Sequence, residues 1–123
     1  MKRRMIYLIL IIVLILIAVT GCGRKTEPSS FIGLVFSVDA GRVLVVQDIE
    51  SAEIPEEEWF QAGKNAIWFT VDKKTALRDA EGKKITLDKI TAGQQVEVLF
   101  SGAVAKSYPG QAEAEEIKIL KAQ

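Results

Sequence analysis

The N-terminal apolar run constrains this chain more than any other feature. Residues 5–19 are an unbroken run of apolar residues, and Lys2, Arg3 and Arg4 precede it as a basic start. A run of this length suits the hydrophobic region of a secretory signal peptide, whereas a full membrane span usually needs about 20 residues. The pattern predicts that residues 1–21 are a signal peptide and that about 100 residues remain, enough for one compact domain.

The last residue of the apolar run and the three residues after it carry a processing signal. Val19-Thr20-Gly21-Cys22 resembles a lipobox, the motif that directs lipid attachment in bacterial lipoproteins, with Val19 in place of the more usual Leu. The resemblance implies cleavage between Gly21 and Cys22 and a diacylglycerol, with its palmitate-type chains, on the Cys22 sulfur. We therefore expect a lipoprotein anchored on the outer face of the cytoplasmic membrane.

One alternative to processing stays open. If the leader is not cleaved, it could act as a plain membrane anchor in a thinned bilayer, and Cys22 would be incidental. The basic start would remain cytoplasmic in either case, so the following domain would still lie outside. Residues 22–30 are polar and contain Pro28 and two serines, which is typical of a flexible tether before a domain at residues 31–123.

The charge of the exported part disfavours nucleic acid as a partner. The whole chain has 16 basic and 16 acidic residues. The leader contains three of the bases and none of the acids, so the remainder is mildly acidic. Sequence-independent binding to nucleic acid depends on a basic face, so we expect no nucleic-acid partner.

The residue types exclude several chemistries. The chain has one cysteine and no histidine, so an internal disulfide, a cysteine-rich zinc site and any histidine-containing triad are impossible. The carboxylates at 56–58 and at 113, 115 and 116 lack the spacing of a calcium-binding loop and favour a solvated charged surface. We expect no catalytic residues, no metal site and no cofactor, and we expect that the protein is not an enzyme.

From Phe31 onward the sequence predicts an all-β domain. Runs rich in β-branched and aromatic residues alternate with turn residues. Five main strands are predicted at 31–38, 43–47, 66–71, 95–100 and 112–120, with a small hairpin at 75–87. The acidic segment 48–64 could contain a short helix, because Pro55 suits a first helical position and Glu56 to Glu58 complement the helix dipole.

Five strands with an excursion between the third and fourth describe a small OB-like barrel. The phrase Leu-x-x-Ile-x-x-Gly-Gln-x-Val-x-Val at residues 87–98 is frequent before the fourth strand of such barrels. A different small barrel or a sandwich fragment is the alternative.

Four sequence features resemble the YobA-like family of small exported proteins from bacilli, a domain of unknown function. They are Gly33 with its hairpin, Ala66 to Val71, Gly93-Gln94-x-Val96, and Ser107-Tyr108-Pro109-x-Gln111-Ala112. The resemblance runs from about Phe31 to the C-terminus. It implies a Gram-positive source and supports location and fold, but it brings no functional residues.

The candidate binding residues are Tyr108, Pro109, Gln111 and Trp68. The first three belong to an unusual surface-type stretch, and Trp68 could stack on a ligand as exposed aromatic residues do in OB barrels. Each has a structural alternative: Tyr108 could cap the core with its hydroxyl bonded to backbone, and burial is the default for Trp59 and Trp68.

The leading functional hypothesis is a lipid-anchored, non-enzymatic binding module at the cell envelope. Its partner would be an envelope protein or peptide, reached from the membrane through the lipid on Cys22. The alternative is a module that senses a small ligand or metal ion through its carboxylates or aromatic residues. The sequence does not indicate an oligomeric state.

Overall fold

The computed structural model describes residues 2–20 and 28–121. The predicted leader forms helix α1 (Lys2–Thr20). Gly21, Cys22 and the tether up to Glu27 lie outside the described residues. Within residues 2–20 and 28–121, no helix is both long enough and apolar enough to cross a membrane.

The domain is all-β, as the sequence predicts, with one short helix and one 3₁₀ turn. Its strands are β1 (Ser29–Asp39), β2 (Arg42–Val46), β3 (Ala66–Thr70), β4 (Ala76–Arg78), β5 (Gln95–Phe100), β6 (Gly110–Glu113) and β7 (Glu116–Lys121). Helix α2 (Glu56–Gln61) lies in the acidic segment, and the 3₁₀ turn (Leu87–Lys89) precedes β5.

All seven strands form one open sheet in the order β4-β7-β5-β1-β2-β3-β6. The long strand β1 pairs antiparallel with β5 through its first half and with β2 through its second half. The predicted β1–β2 hairpin is confirmed: it turns at Ala40 and Gly41, which both have positive φ, as a two-residue hairpin of the common twisted type requires.

The prediction of a five-stranded OB-like barrel is wrong in its number of strands. The structure has seven strands, and they form an open sheet. The first residues of the small hairpin form β4, which pairs parallel with β7. The predicted last strand divides at Ala114 and Glu115 because their N–H groups bond to different neighbours. Ala114 donates to the carbonyl of Thr70, and Glu115 donates to the carbonyl of Leu99. Strand β6 therefore pairs with β3, while β7 pairs with β5.

The two faces of the sheet bury separate apolar clusters. We call the larger one the inner cluster: Phe31, Val35, Val43, Val45, Ile67, Phe69, Leu77, Ile90, Val96, Val98, Phe100, Ala112, Ala114, Ile117 and Ile119. We call the smaller one the outer cluster: Leu44, Val46, Trp59 and Ala66, with Phe36, Ile49, Ile54 and Trp68 packed against it. Adjacent residues of β2 contribute to opposite clusters because successive strand side chains point to opposite faces.

Aromatic contacts organise the inner cluster. Phe69 is fully buried, and its ring centroid lies 5.6 Å from that of Phe31 and 5.5 Å from that of Phe100. Strands β1 and β2 approach closely at Gly33: a Cβ on this residue would lie 2.7 Å from the carbonyl oxygen of Val46. Glycine at position 33 is therefore a packing requirement of this sheet.

Hydrogen bonds of charged side chains stabilise β4 and the excursion that follows it. Arg78 Nε donates to Glu116 Oε1 at 2.8 Å, which ties β4 to β7 at the surface. The Thr86 hydroxyl donates to the Asp88 carboxylate, and this hydrogen bond lowers the pKa of Asp88 below its ordinary value.

Candidate binding surface on the outer face

The segment 48–64 crosses the outer face of the sheet and covers the outer cluster. It leaves β2 at Asp48 and returns to β3 after Gly63, and both residues have positive φ. Helix α2 places Trp59 beneath this segment, where the side chain is 1% exposed and its ring centroid lies 5.4 Å from that of Phe36. The expected burial of Trp59 is thus confirmed, and this ring attaches the segment to the sheet.

Phe60, the next residue in α2, projects away from the buried face of the helix. Consecutive helix residues project about 100° apart, so Trp59 and Phe60 lie on different parts of the helix surface. Phe60 is 45% exposed. A half-exposed phenylalanine contributes less to folding than a fully buried one, since part of its ring remains in water.

Tyr108 lies against the end of α2. Its hydroxyl donates to the carbonyl oxygen of Lys64 at 2.6 Å, and the carbonyl oxygen of Trp59, at 3.4 Å, is the longer second acceptor of the same proton. Its ring centroid lies 4.8 Å from that of Phe60 with the planes tilted by 51°, and the residue remains 42% exposed. This shared hydrogen bond and a ring contact therefore hold Tyr108 in one orientation while leaving part of its face accessible.

We call Phe60 and Tyr108 the aromatic pair. A shallow depression of about 260 Å³ adjoins it, lined by Glu56, Glu57, Phe60 and Gln61. The surface thus combines two fixed, half-exposed rings with two carboxylates. Large aromatic side chains held in a defined conformation are typical anchors of protein–protein interfaces.

The structure divides the predicted binding patch into two parts. Trp68 and Gln111 are direct partners in the β3–β6 ladder, and the Arg42 guanidinium lies 4.5 Å from the centre of the Trp68 ring. Trp68 is only partly buried, and the cation covers one side of its ring. Tyr108 instead contacts α2, and the cis Tyr108–Pro109 bond leads from it into β6.

The sequence reasoning missed Phe60 as a site residue. It placed this residue within an acidic segment and gave it no role. The available signal was the adjacent pair Trp59-Phe60 in a six-residue helix, because two adjacent rings project about 100° apart and differ in how far they face the sheet.

A second concave site lies on the other side of α2. The cavity has a volume of about 420 Å³ and is lined by Asp48, Ile49, Glu50, Ser51, Ile54, Glu58, Trp59, Ala62 and Lys64. The buried indole N–H of Trp59 has no hydrogen-bond partner among the described residues. An unpaired buried donor costs about 1–3 kcal/mol, so this group would gain from an acceptor.

The acidic residues do not converge on a metal site in the part of the chain that the structure describes. No group of three or more Asp, Glu, Cys or His side chains there is arranged to hold an ion. Cys22 lies outside that part.

Taken together, fold and site define a small all-β domain: one open seven-stranded sheet with an aromatic surface site beside its outer face. The profile of a family described as "Protein of unknown function (DUF3221)" matches residues 32–121. The chain belongs to this family. A comparison with curated proteins finds no match.

Two solved structures from Bacillus subtilis share the fold. A crystal structure of a YobA protein is 18% identical, with a TM-score of 0.58, and the match covers 80% of this chain and 100% of that one. A solution structure of YobA residues 21–120 is 17% identical, with a TM-score of 0.52, over 80% of this chain and 87% of that one. The sequence resemblance to the YobA-like family is thus confirmed at the level of domain and fold, and at this identity it carries no function.

Proposed function

We propose that this chain is a membrane-anchored extracytoplasmic lipoprotein whose domain is a non-enzymatic binding module for an envelope protein or peptide. The observation that carries the proposal is the aromatic pair, two half-exposed rings fixed at the surface. Because the hydroxyl of Tyr108 is bonded to backbone, its ring is already ordered before any partner arrives. Pre-ordering lowers the entropic cost of association, which is a property of effective binding anchors.

The support for the proposed membrane anchor comes from the leader sequence rather than from the structure of the domain. The basic start, the apolar run and Cys22 after Gly21 together support export and lipid attachment. The test is Cys22→Ala in the full chain, followed by metabolic labelling with a palmitate analogue. We expect loss of label and accumulation of uncleaved precursor, and processing that is unchanged from wild type would contradict the lipoprotein proposal.

The binding role is tested by photo-crosslinking in intact cells. A benzoylphenylalanine at Gln61, beside Phe60, would report what contacts the aromatic pair, and the same group at the exposed Glu81 in the distant hairpin turn is the control. We expect a product from position 61 that is absent from position 81 and whose crosslinked peptide mass spectrometry identifies. If neither position gives a product beyond the lipid-processing enzymes, the binding-module proposal fails.

The cavity beside Trp59 favours a small ligand as the second candidate function. Its carboxylates, Lys64 and the unpaired indole N–H could hold a polar molecule. The melting temperature of the full chain in detergent, measured with calcium, zinc and a panel of amino acids, separates the candidates. A rise of several degrees with one compound would favour the sensing module.

We also propose an OB-like pairing scheme in which β6 and β7 act as one interrupted last strand. Four ladders support it: β1 pairs with both β2 and β5, β3 pairs parallel with β6, and β5 pairs antiparallel with β7. The amides of Ala114 and Glu115 would then close the ring. Slow hydrogen exchange at both amides is expected, and rapid exchange at both would contradict the scheme.

A further inference from the structure

Charge is unevenly distributed over the exported part of the chain. The segment 48–64 contains six acidic residues and one basic residue, Lys64. The rest of residues 22–123 contains 12 basic and 10 acidic residues, so its balance is slightly positive. The negative charge of the domain is therefore concentrated on the segment that carries Phe60.

Two of these carboxylates belong to the aromatic surface. Glu56 and Glu57 are exposed and line the same depression as Phe60. Neither forms an ion pair with any described residue, since the ion pairs there join Arg78 to Glu116 and Lys83 to Glu81. The dipole of α2 accounts for acids in its first turn, but it gives no reason for an exposed ring beside them.

We infer that the partner at the aromatic pair presents a basic segment of polypeptide, with an arginine or lysine that contacts the rings and reaches Glu56 and Glu57. This inference rests on the proposed binding function and names the chemistry of its partner. A guanidinium or ammonium group is attracted to the face of an aromatic ring, and its aliphatic stem packs on the same ring. The carboxylates add complementary charge, which speeds encounter and rejects acidic partners.

The charge also distinguishes a polypeptide from the membrane surface. Half-exposed aromatic rings suit the membrane interface, but anionic headgroups would repel Glu56 and Glu57. A basic polypeptide is attracted to these carboxylates rather than repelled by them. We therefore assign a basic peptide as the partner, and contact with lipid in the test below would contradict this assignment.

The test uses the full chain in non-ionic detergent micelles and a fluorescent hexapeptide of alternating arginine and leucine. Matching peptides with glutamate or serine in place of arginine are the probes of charge. Fluorescence anisotropy should show binding of the arginine peptide only, weakening as salt rises from about 50 to about 300 mM. Equal binding of the glutamate or serine peptide would overturn the basic-partner inference and leave the binding function standing.

Two double variants with equal loss of charge provide the matched comparison. Glu56→Gln with Glu57→Gln removes the carboxylates of the depression. Glu53→Gln with Glu58→Gln removes two carboxylates of the same segment that do not line it. We expect the first pair to weaken binding about tenfold and the second about twofold or less. Equal weakening by both pairs would mean general charge attraction and would overturn the inference.

Phe60→Ser tests the ring, and the crosslink from position 61 tests the natural partner. We expect Phe60→Ser to weaken binding of the arginine peptide by about tenfold. In cells, the crosslinked segment of the partner should contain arginine or lysine. A crosslinked segment without either residue, or crosslinking to lipid, would overturn the inference, whereas the absence of any product is the separate failure of the binding function.

Discussion

The two faces of the sheet bury apolar side chains in different ways. The inner cluster is built from strand side chains of the whole sheet and includes Phe69, which two other phenylalanine rings contact. The outer cluster is small and depends on a separate segment of chain that places Trp59 over β2 and β3. The inner face therefore maintains the fold, while the outer face holds a surface segment whose exposed residues are available for binding.

The largest expected effect belongs to the inner face. Phe69→Ala would remove a fully buried ring and leave a cavity between Phe31 and Phe100, costing about 4 kcal/mol of unfolding free energy. Urea denaturation of the full chain in detergent, followed by circular dichroism, measures this loss. Phe69→Leu serves if the alanine variant does not fold, and a cost below about 1 kcal/mol for the alanine variant would contradict the role of this cluster.

Trp59→Ala tests whether the outer face is a separate unit. We expect a cost of about 3 kcal/mol, because a buried ring is lost but no hydrogen bond of its indole N–H to a described residue is broken. Limited proteolysis should cut first within residues 48–64, because Trp59 is what holds that segment to the sheet. Cleavage spread equally over the sheet would show that the two faces unfold together.

Much of the fold follows from the sequence because strand alternation is a local pattern. The hairpin of β1 and β2, strand β5 and the short helix after Pro55 lie within a residue or two of their predicted positions. The division of the last strand was not predictable, since it depends on Ala114 and Glu115 bonding to two different neighbours. This division and β4, which forms from the predicted small hairpin, account for the two strands beyond the predicted five.

The site was less predictable than the fold. Tyr108 could be picked out from its unusual neighbours in sequence, but its contact with Phe60 joins residues 48 positions apart in the chain. Such a contact is set by where the segment before β6 meets the end of α2, which no local pattern encodes. The partial burial of Trp68 under Arg42 likewise depends on the β2–β3 register.

Tyr108→Phe separates the hydroxyl from the ring. The variant loses the shared hydrogen bond to the carbonyls of Lys64 and Trp59, and we expect a cost of about 1 kcal/mol because the site is half-exposed. Hydrogen exchange should quicken in residues 59–64 and stay unchanged in β5 and β7. A matching increase in the inner strands would mean that this contact supports the whole domain rather than the surface segment.

The smallest expected effect on stability accompanies the largest expected effect on binding. Phe60→Ser, made in the full chain, replaces a ring that is 45% exposed. We predict a change of less than about 1 kcal/mol in unfolding free energy, together with loss of the crosslinked product from position 61. A wild-type yield of that product from a stably folded variant would contradict the assignment of the aromatic pair as the binding surface.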